Sequence, residues 1–295
     1  MIDPAAAARP WGGLTAPPRL AAHRENAVWE VRLPAGRAAL RVHRAGYRDA
    51  AGIEAELLWM EAVAAGGVPC PEPIRCVDGA LLARRGGALV SCVRWIDAGP
   101  FEPSPAAMRA LGGLAARLHD ACDRADLPPA PRAAWDRDAL TGPDPLWGRY
   151  WENAALSPGE AAALRRARDA ARERLPGIGD VGLIHADLLR ENVLAGPDGL
   201  HLIDFDDGGA GWRAYDLGTA LVQHAGTPGR AALRDAALDG YLAVRPLPGA
   251  GDMAMFVALR AMASAGWAMT RLPPGAPGLR RYAERALAAV ADWRP

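Results

Sequence analysis

Apolar and polar positions change their spacing along the chain in an order that predicts the architecture. Ala27–Leu33 (AVWEVRL) and Ala38–His43 (AALRVH) read as two strands about the turn Pro34-Ala-Gly36. From Ala50 to Ala65 the period becomes helical, with Ile53, Leu57, Met60 and Ala64 on one face and Glu56 off that stripe. Short strands are expected at Ile74–Val77, Ala80–Ala83 and Ala88–Val93, punctuated by Asp78-Gly79 and Gly86-Gly87. Beyond Trp95 the pattern is mostly helical: Met108–Ala121, Ser157–Leu175, Ala214–Gln223, Arg230–Ala243, Asp252–Arg271 and Leu279–Trp293. Ser157 and Glu160 have the spacing of a capping box. Residues 1–19, with Pro4, Pro10, Pro17 and Pro18, read as a loose lead-in, and proline-rich 128–145 as a long connection. The expected class is α+β: a small antiparallel-sheet part with one helix over 1–95, then a larger, mostly helical part over 96–295.

Set into the helical part is a second hairpin, and it carries the chemistry. Leu183-Ile184 delivers His185-Ala-Asp187, and Asn192 follows five residues later. Val193-Leu194 and Leu200–Ile203 flank the turn Gly196-Pro-Asp-Gly199, after which come Asp204, Asp206 and Asp207. Folding this hairpin is expected to bring the amide of Asn192 beside the carboxylate of Asp204, with Asp187 one loop upstream. Two carboxylates and an amide oxygen suit a hard, oxygen-seeking cation. Phosphoryl transfer needs that set, together with a carboxylate for the attacking hydroxyl.

Composition narrows the alternatives. Lys+Arg and Asp+Glu are both 34, so no net field draws nucleic acid or an anionic membrane, and no nucleic-acid module is present. Lysine is absent, so all 34 basic residues are arginine. A Walker A site, a pyridoxal Schiff base and a lysine base are therefore excluded. Cys70, Cys76, Cys92 and Cys122 form no CxxC pair, and the histidines lack zinc-like spacing. The N-terminus has no signal-peptide pattern, and the longest apolar stretch, near Met253–Thr270, is broken by Arg260. The expectation is a cytoplasmic protein with reduced thiols.

The string HADLLREN over 185–192, followed by IDFDD over 203–207, resembles the catalytic and metal loops of the aminoglycoside phosphotransferase and choline kinase-like families. These are small-molecule kinases with a bilobal protein-kinase-like fold. The resemblance extends over residues 20–290, with its specific part at 183–216. It implies ATP and Mg²⁺ as cofactors and a small-molecule hydroxyl acceptor as partner. It places Asp187 at the acceptor hydroxyl, Asn192 and Asp204 on the metal, and Asp216 as a structural support of the loop. His185 is expected to brace the loop rather than carry protons. Arg41 falls where the family has a lysine, and Glu56 where its helical partner belongs; guanidinium in place of ammonium is a departure from the pattern. The phosphate-covering stretch His23–Asn26 lacks a glycine fingerprint, with Asn26 expected near the phosphates. Cys92, Val93, Arg94 and Trp95 correspond to the hinge whose backbone would meet adenine. Trp147, Tyr150, Trp151, Glu152, Asp206, Asp207, Trp212, Tyr215, Trp267 and Arg271 are the expected acceptor-side residues. Aromatics beside acids suit an ammonium-bearing alcohol. The favoured acceptor is a metabolic alcohol or amino alcohol of the homoserine, choline or hydroxylysine kind. A homoserine-type acceptor would need a cation, for which Arg149, Arg213 and Arg271 are candidates. Aminoglycoside or protein acceptors, and a non-catalytic nucleotide-binding pseudokinase, are the alternatives. Oligomeric state is not legible.

Overall fold

The computed structural model describes residues 2–23, 26–46, 48–125, 127 and 134–295. Arg24 and Glu25 of the expected phosphate-covering stretch, and residues 128–133 of the expected connection, lie outside the described residues. Among the described residues the chain forms two compact units. The first comprises Met1–Gly99, Arg124–Arg132 and Ala195–Asp206, and the second Pro100–Asp123, Ala133–Leu194 and Asp207–Pro295. The chain thus passes from the second unit to the first inside the second hairpin, and returns after Asp206.

The first unit opens with a difference from the sequence reading. Residues 4–8 are not loose but form α1 (Pro4–Ala8). Asp3 caps it by accepting from Ala5 N and Ala6 N, and Pro4 fits its first turn. Ala7, Ala8 and Trp11 then join the core with Val31, Leu33, Ala38, Leu40, Val90 and Cys92. The Trp11 indole donates to Ile74 O at 2.6 Å, so this tryptophan buries its ring without stranding its N–H.

Five antiparallel strands make the sheet: β1 (Arg19–His23), β2 (Ala27–Leu33), β3 (Gly36–Val42), β4 (Leu82–Arg85) and β5 (Ala88–Arg94), in the order β1-β2-β3-β5-β4. Strand β1 was not legible in the sequence, because all five of its residues are exposed and carry no alternation. The expected strand at Ile74–Val77 reduces to one bridge, Pro73 to Val93. Between β3 and β4 runs α2 (Ala50–Ala65), capped by Asp49, which accepts from Gly52 N at 2.8 Å. Three short strands, β6 (Gly99–Pro100), β9 (Val193–Gly196) and β10 (Gly199–Leu202), form a separate sheet in the order β10-β9-β6. Gly199, at φ +122°, makes the turn of that hairpin possible.

The second unit is helical: α3 (Pro105–Arg124), α4 (Arg137–Thr141), α5 (Pro158–Arg174), α6 (Arg213–Val222), α7 (Arg230–Leu242), α8 (Met253–Arg271) and α9 (Pro277–Trp293). The expected capping box of α5 is formed, with Ser157 and Glu160 each bonding the other's backbone. A small sheet, β7 (Ala134–Trp135), β11 (Gly209–Trp212) and β8 (Val181–Ile184), holds the functional loop; β11 is its central strand. Helix α8 packs against α6 and α9. The close approach to α6 requires Gly218, where a Cβ would lie 2.7 Å from the Phe256 carbonyl carbon. By length and composition Ala250–Arg271 is apolar enough to cross a membrane, but most of it is buried inside this unit as a core helix.

Candidate active site

In the second unit, β8 ends at Ile184 and delivers the HADLLREN loop. Asp216, in the first turns of α6 and fully buried, anchors it by accepting from His185 N at 2.8 Å and Ala186 N at 2.6 Å. Ala186 sits at φ +63°, a conformation an alanine holds only under such constraint. Behind Asp216 stands His119, whose Nε2 lies 2.9 Å from it, and Tyr241 Oη lies 2.7 Å from His119 Nδ1. Burial pushes the His119 imidazole down, against the pull of Asp216. The buried ring of His185 accepts from Asp187 N at 3.3 Å through Nδ1, inside the loop it was expected to brace.

The Asp187 carboxylate is held at both oxygens. Asn192 Nδ2 donates to Oδ2 at 2.6 Å and to Asp187 O at 2.9 Å. Arg260 Nη2 donates to Oδ1 at 2.6 Å. Because the nitrogen of Asn192 is engaged with Asp187, its amide oxygen remains the end that offers lone pairs to a cation. Arg260, buried on α8, also donates through Nη1 to Ser264 Oγ, and its guanidinium lies 4.8 Å over the Trp147 ring. Neither Arg260 nor Trp135, whose indole donates to Asp207 O at 2.8 Å, was assigned to the site from sequence. The signal for Arg260 was present: a lone charge inside the apolar run Met253–Met269 must have a buried partner.

In the first unit, Arg41 on β3 gathers three carboxylates. Its Nη1 lies 2.9 Å from Glu56 Oε1 on α2 and 3.4 Å from Asp206 Oδ1, and its Nη2 lies 3.4 Å from Asp204 Oδ1. Burial alone would lower the Arg41 pKa, but Asp206, Glu56 and Asp204 together raise it well above the usual value. Burial, the largest single effect, pushes Asp206 up, but the Arg41 charge together with the hydrogen bond to Glu56 and the Arg48 charge outweighs it and holds Asp206 at about 2. Asp204 adopts φ +65°, and the next residue, Phe205, meets Trp59 of α2 edge-on with centroids 5.0 Å apart. That contact ties the acidic turn to the helix that carries Glu56.

Two first-unit expectations need correcting. The Asn26 side chain does not point freely toward phosphates: Nδ2 donates to Asp206 Oδ2 at 3.1 Å, and Oδ1 accepts from Arg44 N at 3.0 Å. The hinge reading of Cys92–Trp95 falls too early. Cys92, Val93 and Arg94 belong to β5, where Cys92 O accepts from Ile74 N and Arg94 N donates to Glu72 O. Trp95 N donates to Arg37 O at 3.1 Å. These backbone groups are engaged in the sheet, so chain free of regular structure begins only at Trp95–Ala98.

The expected acceptor-side residues divide. Trp147, Asp207 and Tyr215 surround the Asp187–Arg260 pair: Trp147 lies under the guanidinium, and Tyr215 and Asp207 are close enough to influence its charge. Trp151 is buried in the core against Tyr150 and beneath Arg168. Trp212 is also buried, donates to Ile178 O, and pairs with Val181 at the end of β8 remote from His185. These two large rings fill the core, which is the commoner fate of aromatics in a helical unit. Glu152 is exposed and paired with Arg149, which also binds Asp144. Arg213 is buried among Asp123, Asp180 and His119 O, committed to structure. Arg271 lies over the ring of Trp267, eleven residues along α8 from Arg260 and on the same face. Asn192 belongs to the second unit and Asp204 to the first. Among the described residues no three His, Cys, Asp or Glu side chains cluster as a metal site. A magnesium site does not require one, since that ion takes one or two protein oxygens and completes its shell from phosphates and water. The carboxylate of Asp204 within the first unit and, separately, the amide oxygen of Asn192 within the second are each donors of that kind.

Residues 18–256 match the phosphotransferase enzyme family. A homoserine kinase of Acidiphilium cryptum is 34% identical over 227 residues, 71% of this chain and 67% of that protein. The structure of a microcompartment-associated aminopropanol kinase superposes with a TM-score of 0.79 at 30% identity, covering 94% of this chain and 90% of that one. An amicoumacin kinase solved with AMP-PNP and Ca²⁺ shares the fold, with a TM-score of 0.75 at 18% identity over 92% of this chain and 87% of its own. The bilobal kinase-like fold and the HxDxxxxN loop define an ATP-dependent phosphotransferase that acts on a small alcohol. The chain belongs to the phosphotransferase enzyme family, as its two loops implied, and divalent-metal use is general to that family.

Proposed function

We propose that this enzyme transfers the γ-phosphoryl group of ATP, with Mg²⁺, to the hydroxyl of a short amino alcohol in the cytoplasm. One observation carries the reading: relatives at 30% identity or more that match most of this chain are named for homoserine and for aminopropanol, both short alcohols bearing an amine. In this reading Asp187 accepts the hydroxyl proton while its carboxylate, fixed by Asn192, orients the attacking oxygen. Asp204 and Asn192 would hold the metal, which when bound supplies charge neutralisation at the phosphates. Arg41, steadied by Glu56, takes the phosphate-gripping role with a planar, permanently charged fork in place of an ammonium. Asp207 and the Trp147 ring supply the anionic and aromatic chemistry that an ammonium group seeks.

The two named acceptors differ by a carboxylate. A homoserine-like acceptor needs a cation beyond Arg260, which Asp187 already engages, and Arg271 on the same helical face is our choice for it. The test is ADP formation with MgATP across a panel: 1-amino-2-propanol, ethanolamine, choline, homoserine, hydroxylysine, an aminoglycoside and a protein substrate. The reading expects kcat/KM for a short amino alcohol to exceed that for the aminoglycoside and the protein by at least about 100-fold, about 2.7 kcal/mol of discrimination. Preference for either of the last two would replace it.

A further inference from the structure

We propose that Arg260 is the positioning residue of the catalytic base: it holds the Asp187 carboxylate in one orientation, backed by Trp147 and Ser264. The proposal rests on the reading of Asp187 as the residue that receives the acceptor hydroxyl.

Burying a guanidinium costs several kcal/mol unless it is paired and hydrogen-bonded, so a lone arginine inside a core helix has to be compensated. Arg260 is 3% exposed, in a helix whose other core residues are mainly alanine, methionine, leucine and phenylalanine. Asp187 supplies the opposite charge, and Ser264 and Trp147 supply the remaining contacts. Nη2 donates to Asp187 Oδ1 at 2.6 Å, Nη1 donates to Ser264 Oγ one turn along the helix, and the Trp147 ring lies 4.8 Å beneath the guanidinium plane. Ser264 is itself fixed, because its hydroxyl donates to Arg260 O at 3.0 Å. The arginine is therefore braced by its own helix and by the ring before it reaches Asp187.

For the base, the consequence is directional. Asn192 takes Oδ2 and Arg260 takes Oδ1, so rotation of the carboxylate about its own bond would break a contact at 2.6 Å on either side. An Asn192 contact alone would leave that rotation open. Two buried polar atoms beside the pair, Arg260 Nε and Tyr215 Oη, have no hydrogen-bond partner. Arg260 thus acts through Asp187, and transfer should depend on it without any contact to the nucleotide.

The test is a double-mutant cycle on the full-length enzyme, with kcat and both KM values measured alongside melting temperature. Arg260→Met keeps length and removes charge and donors. It is expected to lower kcat about 100-fold, the scale of a misplaced catalytic group, with KM for ATP changed less than twofold. Arg260→Lys, which keeps charge and one donor, is expected to recover about tenfold of that loss. In the Asp187→Asn background, adding Arg260→Met is expected to change kcat less than twofold, since a positioning residue has nothing left to position. The doubly neutral variant carries no unpaired buried charge, so it folds even where Arg260→Met alone does not. Wild-type kcat in Arg260→Met or Arg260→Lys would overturn the proposal, as would losses that multiply in the double variant. Undiminished kcat in Asp187→Asn alone would instead sink the role of Asp187 itself, which keeps the two failures apart.

Discussion

The residue whose loss should report most clearly on the loop is Asp216. It is fully buried and accepts three hydrogen bonds: His185 N and His119 Nε2 on Oδ2, and Ala186 N on Oδ1. Asp216→Asn keeps the shape. Its single oxygen can satisfy either Oδ2 or Oδ1, so with the oxygen at Oδ2 the NH₂ faces the Ala186 N–H. One buried donor is then unpaired, at about 1–3 kcal/mol, and the other two bonds lose the charge that made them strong. The sum is about 3 kcal/mol of stability, which for a unit of this size lowers the melting temperature by about 6–12 °C. Function should fall further than stability. The φ +63° conformation of Ala186 is held by that bond, and Asp187 is the next residue. We expect kcat to drop at least about tenfold at temperatures where the variant is fully folded. The assay is a thermal melt by circular dichroism paired with ADP release at about 25 °C. A melting temperature within about 2 °C of wild type, with unchanged kcat, would refute this view of how the loop is held.

Other outcomes follow from the same geometry. Arg41→Met should raise KM for ATP at least about tenfold, whereas Arg41→Lys, which keeps the charge beside Glu56, should stay within about threefold; equal effects from both would remove Arg41 from the nucleotide. Asp204→Asn should weaken activation by Mg²⁺ in titrations at saturating ATP, and an unchanged Mg²⁺ dependence would take Asp204 off the metal. His43, buried against Ser91, is held down to about 3 mainly by burial and also by Arg41. It stays neutral in the folded protein and charges on unfolding below 6.5, so the protein loses about 1.4 kcal/mol per pH unit as the pH falls from about 6.5 toward 3. Urea unfolding of His43→Gln against wild type from about pH 7 to about pH 4.5 checks this: the difference should move in favour of the variant as the pH drops, and parallel curves would contradict it.

What could be read from the sequence was what local rules decide. The helical period over Ala50–Ala65 marked α2 to the residue, and Ser157 with Glu160 marked the start of α5. The HxDxxxxN and IDFDD strings lie in loops set by short strands. What depends on tertiary packing was hidden. Trp151 and Trp212 have the same composition as a binding wall and turned out to be core, because residue type does not say which side of a helix bundle a ring faces. Residues 4–8 looked loose by proline content, yet Asp3 and Pro4 start a helix that packs Ala7, Ala8 and Trp11 into the first unit. Arg260 was legible only as an interruption of an apolar run. Its partner, Asp187, is 73 residues away, and no local pattern joins them.

The central claim, that Asp187 receives the acceptor hydroxyl in an ATP-dependent transfer, is tested most directly by Asp187→Asn assayed with MgATP and a responsive amino alcohol, following phosphorylated product by ³¹P NMR. Transfer is expected to fall by at least about 1,000-fold, with nucleotide affinity by calorimetry within about threefold of wild type. Product formation at the wild-type rate in that variant would contradict it.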